Sequence, residues 1–253
     1  MEKGRLRAAF SFLGLAENRP FRQGRHWTTN GRGPGSPLEV FPMATSPRIR
    51  NALTLFSAPD CVFCHRVRLV LAAKGVSYEL VPVDSAHPPE DLLDLNPYHS
   101  VPTLVDRDLV LYAASVVSEY LDERYPHPPL MPVDPLSRAR LRLAMLHVEL
   151  DWVPHVQAIQ NGNKVQAEAG RKRLKEELLR ALPLFKAAKF FLNSEMSLAD
   201  CAVAPIVYRL PALGIALPKE AKVIEDYGVR IFRNPGFLRS LTPEEKSLRE
   251  LPA

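Results

Sequence analysis

The sequence has few cysteines and no long apolar segment. Its 253 residues include only Cys61, Cys64 and Cys201, too few for the disulfide framework of a small secreted domain. No apolar run approaches the roughly 18 to 20 residues that cross a bilayer. Because Cys61 and Cys64 form a Cys-x-x-Cys pair beside a predicted strand, a reducing compartment is favoured, and we expect a cytoplasmic protein with no membrane partner.

The part of the chain predicted to fold also lacks an excess of charge of either sign. The formal net charge is +5, but residues 1–50 hold nine Lys and Arg against three Glu. The remainder holds 24 basic and 25 acidic residues. A basic groove that follows phosphates is therefore not indicated, and we expect no direct sequence-specific DNA binding.

The first segment, residues 1–49, shows no sustained hydrophobic period and is predicted to be a disordered extension. Met43 precedes the first patterned strand, so we interpret it as the real translation start. A signal peptide is the alternative, since three basic residues precede a mildly apolar run at 8–16. That run is short and contains Ser11, which disfavours the alternative.

Residues 50–126 alternate short strands with helices. An apolar, β-prone run at 52–56 precedes a helix predicted over 61–74. A second strand is predicted over 78–83, in which Pro82 suggests an edge position. A short helix is expected to follow this strand.

The next elements complete a recognisable order. Residues 101–105 and 109–111 predict a hairpin, and a helix is predicted over 115–124. The order βαβαββα is the thioredoxin-like arrangement, in which a proline at the start of the third strand, here Pro102, is commonly cis. The fold class is therefore α/β in this half.

Prolines concentrate at the joint with the second half. Five of the ten residues over 126–135 are prolines, so neither a helix nor a central strand can continue through them. Amphipathic helices are predicted from 141 to 152 and from 168 to 186. We therefore predict a proline-rich linker at 127–136 and an all-helical domain at 137–245.

Three more helices are predicted later in the chain. Ser197 and Asp200 have the spacing of a capping box, which predicts the start of an apolar helix that buries Cys201. Two short helices are expected over 221–232 and 235–241.

These features resemble the soluble glutathione transferases over residues 50–240. The likeness rests on Val-Pro-Thr-Leu-Val at 101–105 and on Ser-x-Ala-Asp opening a buried helix. Within that superfamily, residues 96–97, 100–106 and 120–132 look like the stringent starvation protein A family, bacterial RNA-polymerase-associated regulators with the transferase fold. The resemblance implies stress-related transcription regulation, RNA polymerase as a partner, a homodimer and no cofactor. It also implies a protein-binding surface formed by Tyr125, Pro126, His127, Pro128 and Pro129.

A glutathione site of the transferase type is expected to be vestigial. In the transferases, the backbone beside the cis-proline and a Glu-Ser pair opening the third helix hold glutathione. Val101, Pro102 and Ser115 match this pattern, but Ala114 stands at the Glu position. A charge-assisted hydrogen bond worth roughly 1.5–3 kcal/mol is thereby lost, so we expect a non-catalytic protein. Ser57 is the hydroxyl closest to the usual catalytic position.

The alternative hypothesis is a glutathione-dependent thiol transferase or reductase that uses Cys61. Cys61 lies where omega-type transferases carry a nucleophilic thiol, and Cys64 is a potential resolving thiol. Against it, Val62 stands where redox enzymes prefer proline, and Cys64 can equally pack as a small hydrophobe. No metal site is expected, because the two cysteines and His65 lack a second ligand pair. Five other histidines are expected at the surface or partly packed: His65, His87, His99, His147 and His155.

Overall fold

The computed structural model describes residues 53–84 and 86–249. The predicted extension over 1–49, the start at Met43 and the signal-peptide alternative lie outside the described residues. Within the described part, no helix is long and apolar enough to span a bilayer.

A four-stranded mixed sheet with the order β2-β1-β3-β4 organises the first half. Strand β1 (Thr54–Ser57) pairs in parallel with β2 (Glu79–Pro82) and antiparallel with β3 (Thr103–Asp106). Strand β4 (Leu109–Tyr112) completes a hairpin with β3. Since β2 lies at the end of this order, the edge position that Pro82 suggested is confirmed.

Three helices complete the βαβαββα order predicted for this half: α1 (Val62–Lys74), α2 (Glu90–Leu95) and α3 (Ala114–Arg124). Gly75 ends α1 in the left-handed conformation with φ 65°, which glycine adopts without steric cost. The peptide bond before Pro102 is cis, as the thioredoxin-like order predicted. The α/β assignment of this half is therefore confirmed.

The second half is helical, as predicted. A π-helical turn, Val148–Trp152, joins the first two of its helices. The α-helices are α4 (Pro135–His147), α5 (Val153–Asn161), α6 (Lys164–Arg180), α7 (Leu182–Ala187), α8 (Leu198–Arg209), α9 (Lys222–Phe232), α10 (Pro235–Ser240) and α11 (Pro243–Lys246).

Two helix predictions need correction. The single helix predicted over 168–186 is two helices, α6 and α7, separated at Ala181. Pro183 lacks a backbone N–H, so the helical hydrogen-bond pattern cannot continue past this point. Its first part begins earlier, where Asn163 and Gln166 form a reciprocal capping box. The helix predicted over 141–152 likewise changes to a π turn ahead of Pro154.

One apolar core runs through both halves. A single cluster of buried side chains includes Leu55 of the sheet, Leu121 of α3 and Val203 of α8. Helix α1 contacts α3 on one side and α8 and α10 of the helical half on the other. Packing from both halves therefore positions α1. One candidate site lies at its N-terminal end, near Cys61, and another at its C-terminal end, near Lys74.

Candidate docking surface and thiol site

The predicted protein-binding residues, Tyr125–Pro129, form a loop after α3 that we call the docking loop. Its four residues from Pro126 to Pro129 are all exposed, while Tyr125 is half-buried against the core. The Arg124 guanidinium lies 5.8 Å from the Tyr125 ring centroid. The His127–Pro128 peptide bond is cis. The structure thus presents His127 and three prolines together on the surface.

Buried polar contacts fix the base of the docking loop. Lys74 Nζ, at the end of α1, donates to the Pro128 carbonyl oxygen at 2.5 Å and to Asp122 Oδ1 at 2.6 Å. The same carboxylate oxygen accepts a hydrogen bond from the Leu130 N–H at 2.8 Å. Because both charged residues are buried, removing one partner would leave an uncompensated charge, which typically costs 3–5 kcal/mol.

The helical half holds the same segment from the other side. The Leu198 N–H, at the first residue of α8, donates to the Leu130 carbonyl oxygen at 2.9 Å. Asp200 fixes this helix start, since its carboxylate accepts hydrogen bonds from the Ser197 N–H at 2.8 Å and from the Ser197 hydroxyl at 2.9 Å. The residues flanking the docking loop are therefore bonded to both halves.

Sequence reasoning missed Lys74 and Asp122. A signal for Asp122 was present, because it shares the helical face of Val117, Ser118 and Leu121, all of which are buried. A carboxylate on an apolar face predicts a buried partner, although it does not say which cation supplies it.

The region of the expected glutathione site lacks an acidic side chain at the start of α3. This helix begins at Ala114, one residue earlier than predicted, with Ala113 as the N-cap at φ 72°. Ser115 is the second helical residue and is partly exposed. Of the expected pair only the serine has a polar side chain, so a charged amino end would find no carboxylate there. Val101 and the cis Pro102 lie before β3, as expected.

Ser57 does not supply a free hydroxyl. It is buried at the end of β1, where its Oγ accepts a hydrogen bond from Arg68 Nη1 at 2.6 Å. Its side chain is thus committed to α1.

The two cysteines meet at the start of α1. Cys61 is the N-cap, is partly exposed, and its Sγ accepts a hydrogen bond from the Cys64 N–H at 3.4 Å. The hydrogen bond from the Cys64 side chain is the largest cause that lowers the Cys61 pKa to about 7, against the opposing effect of burial. Cys64 is buried, and burial raises its pKa. The exposed thiol is therefore the more acidic one.

A buried charge cluster lies along α1 after these cysteines, and the expectation that His65 is surface or partly packed is wrong. His65 is completely buried, with Nδ1 2.8 Å from Arg209 Nη1 and Nε2 3.1 Å from Ser240 Oγ. Burial, followed by the charges of Arg209 and Arg68, holds the His65 pKa well below its usual value. Glu245 Oε1 accepts a hydrogen bond from Arg68 Nη2 at 2.6 Å and is bonded to Arg209.

This cluster has a structural role, because it fixes α1 to the helical half. Helical periodicity could not find it, since charged residues on a helix ordinarily face water. Cys201 is buried within α8, as predicted. Among residues 53–84 and 86–249, no group of three or more His, Cys, Asp or Glu side chains could hold a metal ion.

Comparison with known proteins first defines the class. Residues 55–129 match the family described as glutathione S-transferase, N-terminal domain, and residues 143–235 match the corresponding C-terminal domain. The Tau class glutathione S-transferase from mango, Mangifera indica, aligns with a TM-score of 0.68 at 23% identity, over 78% of this chain and 95% of that one. The chain therefore has the glutathione transferase fold.

Sequence relatives define the family within that class. The chain is 48% identical to the stringent starvation protein A homolog of Haemophilus influenzae, over 79% of this chain and 94% of the relative. It is 45% identical to the homolog of Coxiella burnetii, over 80% of this chain and 97% of the relative. The chain belongs to the stringent starvation protein A family.

Proposed function

We propose that the chain is a non-catalytic, cytoplasmic transcription regulator that binds RNA polymerase through the docking loop, Tyr125–Pro129. One observation carries the proposal: four successive residues are exposed, yet the backbone beneath them is bonded to a buried ion pair. A surface that is already ordered loses little conformational entropy on binding. The family resemblance supplies the class of partner.

The composition of the loop suits a protein partner. Pro126, Pro128 and Pro129 present apolar rings and no backbone N–H, so a partner can cover them without desolvating a donor. His127 adds a ring with one donor and one acceptor nitrogen when neutral. Tyr125, packed against the core, gives the loop an aromatic edge.

The sequence supplies a matched control for this proposal, because His87-Pro88-Pro89 repeats the tripeptide His127-Pro128-Pro129. The experiment measures capture of purified RNA polymerase by the wild type, by the double variant P126A/H127A and by H87A. We expect the double variant to weaken the dissociation constant roughly 30-fold, equivalent to about 2 kcal/mol at a binding hot spot. H87A should bind as the wild type does.

Two results would contradict the docking proposal. Undiminished capture by P126A/H127A would exclude the loop as the contact, and equal weakening by H87A would show that the effect is not local. Circular dichroism of each variant verifies that the fold is intact.

We also propose that the chain forms a homodimer through an apolar stripe on α4 and the following π turn. Leu136, Leu146 and Leu150 are exposed on one side, and Leu143 between them is half-buried. The stripe meets the first half where Arg142 pairs with Glu119 of α3. A surface that spans both halves matches the arrangement that the resemblance implies, in which the first domain of one subunit packs against the helical domain of the other.

Light scattering coupled to size exclusion tests the dimer. We expect the wild type to elute with the mass of two chains and L146E/L150E with the mass of one, because two buried carboxylates would lack partners. V165E, at an exposed position of α6, is the control and should remain dimeric. A monomeric wild type or a dimeric double variant would contradict the proposal.

The glutathione-dependent alternative has less support. α3 opens with Ala114 and Ser115, so the serine of the expected pair is present but the acidic acceptor is missing, as the sequence indicates. An enzyme that holds a charged tripeptide needs a paired contact for each charged end.

A further inference from the structure

We propose that Cys61 and Cys64 form a dithiol that reduces small external disulfides and closes into an intramolecular disulfide without using glutathione. This activity is separate from the docking loop, which lies at the opposite end of α1. The argument rests on the position, accessibility and substrate environment of the two sulfurs.

The position of the cysteines allows a disulfide. They are three residues apart at the first turn of α1, a spacing that places side chains next to one another. The Cys64 N–H donates a hydrogen bond to Cys61 Sγ at 3.4 Å. The two cysteines therefore lie side by side at the helix start before any reaction.

Accessibility assigns a different role to each sulfur. Cys61 is partly exposed at the helix N-terminus, whereas Cys64 is fully buried. An external disulfide can therefore reach Cys61 only, and Cys64 can react only with a sulfur already held at Cys61. The lowered Cys61 pKa of about 7 supplies a substantial thiolate fraction at neutral pH.

The reaction proceeds in two exchanges. The Cys61 thiolate attacks one sulfur of the external disulfide, whose S–S bond breaks, and one thiolate leaves as the mixed disulfide forms. The departing thiolate takes up the proton of the Cys64 thiol. The Cys64 sulfur then attacks Cys61 Sγ, and the second thiolate leaves. Two electrons pass from the dithiol to the external disulfide, which becomes two thiol equivalents.

The surroundings of Cys61 favour a small, neutral disulfide. Asp60 is exposed next to it, and its charge acts on Cys61 in the direction that raises the pKa. An anionic disulfide would meet the same repulsion. Since Ala114 provides no carboxylate for the charged amino end of glutathione, glutathione disulfide should gain no rate advantage over a neutral disulfide.

Alkylation and mass spectrometry test the proposal on the full chain. Reduced protein is incubated with bis(2-hydroxyethyl) disulfide, treated with N-ethylmaleimide and digested. We expect the wild type to yield a Cys61–Cys64 disulfide, C64S to accumulate a mercaptoethanol adduct on Cys61, and C61S to form neither. Cys201, buried in α8, should carry no adduct in any variant and is the internal control.

A second measurement separates thiol activation from structural effects. The pH dependence of Cys61 alkylation should have its midpoint near 7 in the wild type. C64S keeps a side-chain donor and should preserve this midpoint approximately, whereas C64A removes the donor and should raise it.

Three outcomes would overturn the inference: both cysteines staying reduced in folded wild-type protein, no adduct in C64S, or glutathione disulfide reacting at least tenfold faster than the neutral disulfide. C61S should still capture RNA polymerase as the wild type does. The thiol inference and the docking proposal can therefore fail independently.

Discussion

The tripeptide His-Pro-Pro occurs twice in the first half, with different surroundings. At residues 87–89 it leads into α2, where Pro89 is the N-cap and His87 Nδ1 lies 3.2 Å from Asp84 Oδ2 on the surface. At residues 127–129 it follows α3, and the carbonyl of Pro128 is bonded to the buried Lys74. Both of these contacts of the first copy are local, whereas the second copy is bonded to a distant helix.

This difference shows that residue types alone do not define a docking surface. Both histidines are exposed, and two prolines follow each of them. Only the second copy is followed directly by a residue, Leu130, whose N–H and carbonyl are bonded to separate halves of the molecule. A partner that binds the second copy therefore meets a surface fixed by the whole fold.

The largest expected effect comes from breaking the ion pair under the second copy. K74M leaves the Asp122 carboxylate buried without its cation and removes the bond to Pro128, so we expect a loss of about 3–5 kcal/mol in the free energy of unfolding. Urea denaturation measures this loss. R142Q, which breaks the more exposed pair with Glu119, should cost less than about 1 kcal/mol. If K74M and R142Q lost equal amounts of unfolding free energy, the buried ion pair would be no more important to stability than the exposed one, contrary to this prediction.

A change of intermediate size is expected in the pH dependence of the unfolding free energy, and it concerns His65. This residue helps to hold α1, the helix that also carries Lys74, against the helical half. The folded-state pKa of His65 lies well below its usual value of 6.5, so below that pH the unfolded chain takes up a proton that the folded chain does not. Stability should therefore be complete above pH 6.5 and fall by up to about 1.4 kcal/mol per pH unit as the pH decreases.

H65Q tests this assignment. Unfolding free energies between pH 7.5 and about 5 should decline more steeply in the wild type than in the variant. The difference between the two curves isolates His65 from the other groups that titrate in this range, such as Asp200, whose pKa burial raises to about 6. Arg68, Arg209 and Glu245 are the charged groups around His65, and they are present in both proteins, so the difference between the two curves does not depend on their substitution. An unchanged slope in H65Q would assign the proton to another group.

The smallest expected effect sharpens the comparison of the two tripeptides. H127A and H87A remove exposed side chains, so each should shift the melting temperature by less than about 2 °C. Differential scanning calorimetry measures this shift. If H127A lowered the melting temperature much more than H87A, weaker polymerase capture by P126A/H127A could be caused by unfolding rather than by loss of a contact.

The elements that local patterns predicted are those whose causes are local. The hairpin, the edge position of β2 and the end of α1 at Gly75 each depend on residues within a few positions of one another. The capping pair Ser197 and Asp200 was found for the same reason. The predictions failed where one residue interrupts a sustained apolar period, as Pro183 does between α6 and α7.

The candidate sites were predictable only in part. The proline loop and the Cys-x-x-Cys pair are visible in the sequence, but the Cys61 pKa depends on how the Cys64 thiol is oriented. The domain boundaries and the role of the docking loop remain predictions. α3 starts one residue earlier than predicted, and its N-cap, Ala113, has a positive φ that no alanine pattern indicates.

The sequence by itself determined the order of elements in the first half and the helical character of the second, because periodicity, caps and proline geometry act over short distances along the chain. Only the tertiary structure decided which charges are buried together. Lys74 meets Asp122 across 48 residues and His65 meets Arg209 across 144. Each of these groups would be costly to bury alone, so its placement depends on a partner that only folding supplies.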